Sequence, residues 1–364
     1  MSLQRRTNII GQINAELESP TIAYVTGDRQ GMQTQVGDDQ VPLFPRHLRS
    51  IGDVDQINLL LYTRGGNTNV PWTIINFIRE HCDKLVVLIP YWAHSAGTLL
   101  SLGADEIIMG RYATISPIDP TVANAFNPLD PANPAARLPI AVEDVLAFLE
   151  LATKNGSSAN DESMALERLA QEVHPLALGN VQRSINQIRQ LAAKMLGLHG
   201  PDRDDDSVKK LITSLTTEFY SHQHLIGRDE AKALGLPISP PSDDLERLLF
   251  EYYEELRVDL LLKESFDPAA LLRAAQTAPA PPPPATTAGQ PAAPAPVSVA
   301  QPISVPVVLE RAYIETDSTA DAYVTRGNVA HQVINPPQHP GMPPQAPQQA
   351  IAFEVQSETW EELK

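Results

Sequence analysis

Residues 57–120 read INLLLYTRGGNTNVPWTIINFIREHCDKLVVLIPYWAHSAGTLLSLGADEIIMGRYATISPIDP. Three short apolar runs stand out in this stretch: Ile57–Tyr62, Leu85–Tyr91 and Glu106–Met109. Each is rich in Ile, Leu and Val and too short for a core helix, the pattern of strands buried on both faces of a parallel sheet. Between the first two, Val70, Ile74, Ile75, Phe77 and Ile78 recur at helical spacing over Val70–His81. Between the second and third lies His94–Leu102, a helical stretch that Ser95 opens. The stretch predicts two βαβ units in succession, and with them an α/β fold.

The small residues fall where chemistry is done in such folds. Gly65–Gly66 stands at the carboxyl end of the first strand, where backbone N–H groups are left to face a ligand. Ser95 stands at the end of the second strand as its helix begins, where free N–H groups and the helix dipole favour developing negative charge. A serine followed by Ala96 and Gly97 is uncrowded. The Ala96 N–H is placed to form half of an oxyanion hole and Gly66 the other half. Taken singly, a serine at a helix start is an N-cap and Gly-Gly after a strand is a turn. Their pairing at the ends of neighbouring strands is what points to a site.

Four separated blocks, TRGGN, AHSAGTLLSLGADEIIMG with SPIDP, HPLALGNVQRS and SHQHLIGRDEAKALGLPI, occur in the order that resembles the serine dehydrogenase proteinase family. That family belongs to the Clp-protease/crotonase superfamily and is related to signal peptide peptidase A. The resemblance runs from about Ile9 to Ile238. It implies a Clp/crotonase-like fold of repeated β-β-α and βαβ units with outer helices. It implies a serine endopeptidase cleaving peptides or unfolded protein segments through an acyl-enzyme. It also implies no cofactor and no metal, whatever the word dehydrogenase suggests, and a homo-oligomer.

Serine hydrolysis needs a base and a group that orients it. Nine histidines are present. His94 adjoins Ser95 along the turn and points apart from it, His47 and His81 fall outside the strand ends, and His331 and His339 follow a proline-rich run. His174, His199, His222 and His224 remain. The resemblance chooses among them, because the family runs Ser, Asp, His along the chain: Ser95, Asp119 of SPIDP and His174 of HPLALG. Gly65, His94 and His222 are then expected to line the site. Signal peptide peptidase A relatives use a Ser–Lys dyad instead, for which Lys154 or Lys194 would have to be desolvated. Two other readings keep the fold without the peptidase: a crotonase-type acyl-thioester enzyme and a non-catalytic scaffold.

Composition bounds the rest. The 364 residues are 43 % hydrophobic, enough for one large core with extensions. A net charge of −17 argues against a nucleic-acid partner. The single cysteine, Cys82, forms no internal disulfide; it is expected inside a helix, in a reducing cytoplasm. No signal peptide is read behind Arg5 and Arg6. Leu85–Ala104 is long and uncharged enough to span a bilayer, yet it splits into a strand and a helix, so no membrane anchor is expected.

The expected organisation is a core at 1–240, an outer amphipathic helix within 241–277, a Pro/Ala-rich linker at 278–306 and a tail at 307–364. The linker holds ten prolines between Ala278 and Pro306 and reads as an extended spacer. Beyond it, β-like patches occur over Val307–Val329, but the tail as a whole is expected to be disordered or to dock on a partner. A chain ending near Gln276 is therefore expected to fold.

Overall fold

The computed structural model describes residues 2–118, 121–122, 124–130, 133, 135–155, 159–199, 205–218, 224–277, 304–334 and 348–364. In chain order the first half holds α1 (Ser2–Leu17), β1 (Thr21–Thr26), α2 (Phe44–Ile51), β2 (Val54–Tyr62), α3 (Val70–Arg79), β3 (Cys82–Ile89), β4 (Trp92–Ala93), α4 (Ala96–Leu102), β5 (Glu106–Met109), β6 (Thr114–Ile115), β7 (Thr121–Val122) and β8 (Ile140–Ala141). Then follow α5 (Val142–Asn155), α6 (Ala159–Glu172), α7 (Pro175–Leu196), α8 (Asp205–Thr213), β9 (Ile226–Gly227), α9 (Arg228–Ala233), β10 (Ile238–Ser239), α10 (Asp243–Asp259), α11 (Pro268–Thr277), β11 (Ser304–Glu315), β12 (Ala320–Ile334) and β13 (Gln348–Leu363).

The main sheet has the order β10-β5-β3-β2-β1-β11-β12-β13. Its first five strands are parallel, as the apolar runs predict. The mixed α/β architecture expected from the apolar runs is what the chain adopts. Side chains alternate between two apolar layers, as strand geometry requires. Ile22, Tyr24, Leu59, Leu61, Val87 and Ile89 face the layer built with α2, α3, α4 and α7. Ala23, Val25, Leu60, Tyr62, Val86 and Leu88 face α1 and α10.

Local signals set the ends of the elements. Pro71 occupies the first turn of α3, where its missing N–H costs nothing. Gly52, at φ 79°, ends α2, with its N–H donating to Leu48 O at 2.9 Å. Cys82 begins β3 instead of closing a helix: α3 stops at Arg79, Val54 N–H donates to His81 O at 3.0 Å, and Val54 then pairs with Cys82. The strand ladder therefore starts three residues before the apolar run of Leu85.

Residues 304–363 correct the expectation of a disordered or docking tail wherever they are described. β11 pairs antiparallel with β1, Ala23 opposite Glu315 through Thr26 opposite Ala312. β12 and β13 extend the sheet outward from it. The physical reason is that a parallel sheet ending at β1 would leave that strand's outer edge unpaired while both its faces are buried. β11 supplies the missing partners, so the expected dispensability of everything after Gln276 gives way. The Pro/Ala-rich run lies outside the described residues over 278–303.

Buried charge locks this hairpin to the amino terminus. Arg6 of α1 is fully buried; its guanidinium donates to the Glu315 carboxylate from Nε at 3.0 Å, stands 3.9 Å from the centre of the Tyr313 ring, and pairs with Asp259 of α10. Tyr252 adds a hydroxyl donating to Glu315 at 2.7 Å.

Candidate active site

β2 and β3 turn away from the main sheet at their carboxyl ends and meet again. Thr63 and Ala93 form a parallel bridge, Thr63 N–H donating to Trp92 O at 2.9 Å and His94 N–H to Thr63 O at 3.0 Å. A small second sheet, β4-β6-β9, fixes the far side of Ala93. The bridge brings Arg64–Gly65–Gly66 alongside His94–Ser95–Ala96, which is the juxtaposition that strand-end spacing predicts.

Ser95 caps the start of α4 with φ 51° and ψ −108°, a left-handed backbone that a side chain rarely adopts. The conformation is held in place from two sides. Ser95 N–H donates to Ser116 Oγ at 2.9 Å, and that hydroxyl donates in turn to Pro117 O at 3.0 Å. On the other side Gly65, at φ 105°, lies so close that a Cβ there would stand 2.8 Å from Ser95 Cβ and 2.9 Å from His94 O. Only glycine satisfies both the backbone angle and the approach.

Two backbone N–H groups flank this contact, that of Ala96 directly after Ser95 and that of Gly66 directly after Gly65. Gly66, at φ 149°, is pinned by Val36, whose N–H donates to Gly65 O and whose carbonyl accepts from Asn67 N–H, both at 2.8 Å. Gly65 N–H is taken by Thr63 Oγ1 at 3.0 Å. Among the described residues neither Gly66 N–H nor Ala96 N–H donates to any group, and the half-buried Ser95 hydroxyl has no hydrogen-bond partner. A hydroxyl on a strained helix start beside two unengaged donors can attack a carbonyl and shelter the resulting oxyanion.

The other sequence candidates fall as follows. His94 is buried; Nε2 meets Thr114 Oγ1 at 2.9 Å and Nδ1 faces Arg64 Nη1 at 3.4 Å. Because arginine only donates, Nδ1 accepts and the ring proton sits on Nε2 toward Thr114. His174 is exposed and is the N-cap of α7: its Nδ1 accepts from Leu176 N–H at 3.1 Å, and its ring stacks on Phe126 at 5.0 Å. Asp119 and His222 lie outside the described residues. α7 nevertheless runs against β7, which begins two residues after Asp119, and against α4, which begins one residue after Ser95. Its Gln187 also hydrogen-bonds Asn69, beyond the Gly65–Gly66 turn. Lys194 is exposed, its ammonium 5.5 Å above the Trp72 ring. The Lys154 side chain lies outside the described residues. Thr63, Arg64 and Ser116 are the site residues the sequence did not single out, although TRGGN and SPIDP contain them.

Residues 35–133 match the family model of ClpP-like SDH-type serine proteinases, so the resemblance carried by TRGGN, AHSAGTLLSLGADEIIMG and SPIDP holds over that segment. Two uncharacterized proteins of Methanocaldococcus jannaschii are each 26 % identical, one over 211 residues and one over 199. These alignments cover 58 % and 54 % of this chain and span 63 % and 56 % of the relatives' own lengths. Among solved structures, ClpP1 from Listeria monocytogenes is 16 % identical, covering 67 % of this chain and 99 % of that one at a TM-score of 0.34. A mutant of the membrane-bound stomatin-specific protease 1510-N, in complex with a substrate peptide, is 15 % identical, covering 62 % and 78 % at a TM-score of 0.36. Among the described residues of the present chain no helix is long and apolar enough to cross a membrane.

Proposed function

We propose that this chain, whose residues 35–133 match ClpP-like SDH-type serine proteinases, is a serine endopeptidase acting on peptides or unfolded protein segments. One observation carries the reading: Ser95 is held at φ 51° at the start of α4, against the Gly65–Gly66 turn, where a Cβ on Gly65 would stand 2.8 Å from Ser95 Cβ. Ser95 Oγ attacks the scissile carbonyl carbon while the base takes its proton. The Gly66 and Ala96 N–H groups receive the oxyanion. The base then hands the proton to the leaving amine, and water, activated the same way, releases the acyl group from Ser95.

The base we assign is His174, oriented by Asp119. α7 supports this assignment, since it packs both on the strand that follows Asp119 and on the helix that follows Ser95. The role requires the imidazole to leave its capping bond, because a ring whose Nδ1 accepts from Leu176 carries its neutral-form proton on Nε2. We place the action in a reducing cytoplasm and in a homo-oligomer, in keeping with the single cysteine and the resemblance.

Labelling with a fluorophosphonate followed by peptide mapping tests the nucleophile. Wild type should label on Ser95, and Ser95→Ala should lose both label and peptide turnover while keeping its circular dichroism. A folded wild type that never labels would leave the scaffold reading in its place. For the base, His174→Ala should cost turnover by orders of magnitude, with Asp119→Asn costing no more. Lys194→Ala and Lys154→Ala should stay near wild type. A dead lysine variant beside an active His174→Ala would move the base to lysine.

A further inference from the structure

Arg64 directly precedes the Gly65–Gly66 turn, and its guanidinium is built against the residues that lead into Ser95. The carbon of that guanidinium stands 3.5 Å above the centre of the Trp92 ring, and Trp92 in turn stacks on Tyr62 with centroids 6.2 Å apart and planes 17° apart. Arg64 Nε donates to Asp28 Oδ2 at 3.1 Å, while Asp28 Oδ1 accepts from the Tyr62 hydroxyl at 2.8 Å. Arg64 Nη1 donates toward His94 Nδ1 at 3.4 Å, and His94 is the residue before Ser95. The His94 contact and the Trp92 stack tie the guanidinium to the segment that carries Ser95, Asp28 ties it to the loop after β1, and its own backbone leads into Gly65–Gly66.

What is left over decides its use. A guanidinium has five N–H donors in one plane. Asp28 takes the Nε–H and His94 takes one on Nη1, so the rest of the outer edge, including both hydrogens of Nη2, has no partner among the described residues. The side chain is 46 % exposed, against 13 % for Asp28. Stacking occupies the face of the guanidinium and leaves its edge open, the geometry that meets a carboxylate with two parallel hydrogen bonds. Because Trp92, Asp28 and His94 already hold the group, little side-chain freedom remains to be lost on binding. A net charge of −17 disfavours a polyanion such as nucleic acid, and the small anions of a polypeptide are its carboxylates.

We propose that Arg64 is a specificity-determining residue that receives a substrate carboxylate, so that the enzyme prefers peptides with an acidic group within a few residues of the scissile bond. The inference rests on the peptidase reading of the same site. The carboxylate has two sources, an internal Asp or Glu side chain or a free peptide carboxyl terminus.

Binding to the Ser95→Ala protein tests this without needing turnover. Fluorescent decapeptides with one Glu moved through the central positions are compared with their Gln counterparts, each with a free and an amidated carboxyl terminus. Fluorescence anisotropy at low salt should show at least one Glu peptide, or the free-carboxylate form, binding about tenfold more tightly than its neutral counterpart. Preference that survives amidation assigns the side chain as the source, and preference that amidation removes assigns the terminus. Adding Arg64→Gln should reduce the ratio to within twofold, and Arg64→Lys should restore only part of it. Adding Arg5→Gln, at an exposed side chain of α1, should leave the ratio as it was. Equal binding of every acidic and neutral pair, binding of none of them, or a ratio that persists in Arg64→Gln would overturn the proposal. Failure of wild type to label with fluorophosphonate, beside an Arg64-dependent carboxylate preference, would overturn the peptidase reading alone.

Discussion

Gly65 and Ser95 constrain each other. Gly65→Ala places a methyl group 2.8 Å from Ser95 Cβ in a backbone at φ 105°, so the serine must move. We expect at least a hundredfold loss of peptide turnover or fluorophosphonate labelling, since misplacement of about 1 Å costs that much. Gly235→Ala is the comparison: φ is 93°, but a Cβ there meets nothing within 4 Å. It should lower stability by about 1 kcal/mol in urea unfolding and leave labelling intact. Cys82 gives a second expectation at this scale. Burial pushes its thiol pKa up to about 11, above the ordinary value, so at pH 8 it is a protonated, covered thiol. Native protein should resist a thiol reagent that labels the urea-unfolded chain at once; comparable native labelling would contradict the buried placement. The juxtaposition of Ser95 with Gly65–Gly66 was legible in the sequence because the two stand at the ends of neighbouring parallel strands. Thr63 and Ser116 were not, because their roles come from a bridge and a backbone clamp that exist only when Thr63 meets Ala93.

The element whose reading matters most is α7. Its first residue follows His174, whose side chain caps it, and a cap and a catalytic base are separable by substitution. His174→Asn keeps an excellent N-cap and removes the imidazole, so it should hold stability within a few tenths of a kcal/mol of wild type and still lose turnover. His174→Ala should lose turnover and about 1 kcal/mol of stability as well. An active His174→Asn would leave the residue as a cap alone. β2, β3, β5 and α3 were readable from apolar periodicity to within a few residues at each end. The sequence put Cys82 on the wrong side of a boundary because CDK has no apolar period of its own. Its strand identity comes from pairing with Val54. β11 and β12 showed as β-like patches, but that they complete the main sheet depends on which edge β1 leaves open, and local sequence does not carry that.

For the whole molecule, the amino-terminal helix, α10 and the last hairpin stand or fall together. Arg6→Ala strands the fully buried Glu315 without its cation and should cost about 3–5 kcal/mol in chemical unfolding. A chain ending at Gln276 loses β11 and leaves β1 unpaired on one side, so it should be recovered as aggregate; a soluble, cooperative product would show the sheet is complete without it. The hairpin also carries a pH dependence. His47 of α2 is buried between Asp321 Oδ2 and Thr319 Oγ1, both at 2.9 Å, with Arg46 bonded to Asp321 and Glu362. Burial, outweighing the Asp321 carboxylate, lowers its pKa below the ordinary value. The unfolded chain then takes up a proton near pH 6.5 that the folded chain refuses, so this contribution is present above pH 6.5 and is lost as pH falls. Thermal melts from pH 7.5 to 5.5 should fall less steeply in His47→Gln than in wild type.

The Arg6–Glu315 contact joins residues 309 positions apart in the chain. During synthesis the amino-terminal helix and β1 leave the ribosome long before their partners exist, an interval on the order of tens of seconds at about 5–20 residues per second. Through that interval β1 has an open edge and Arg6 has no buried counter-charge. The outer edge of β1 is thus covered only when β11 arrives, and until then its backbone groups have water alone as partner.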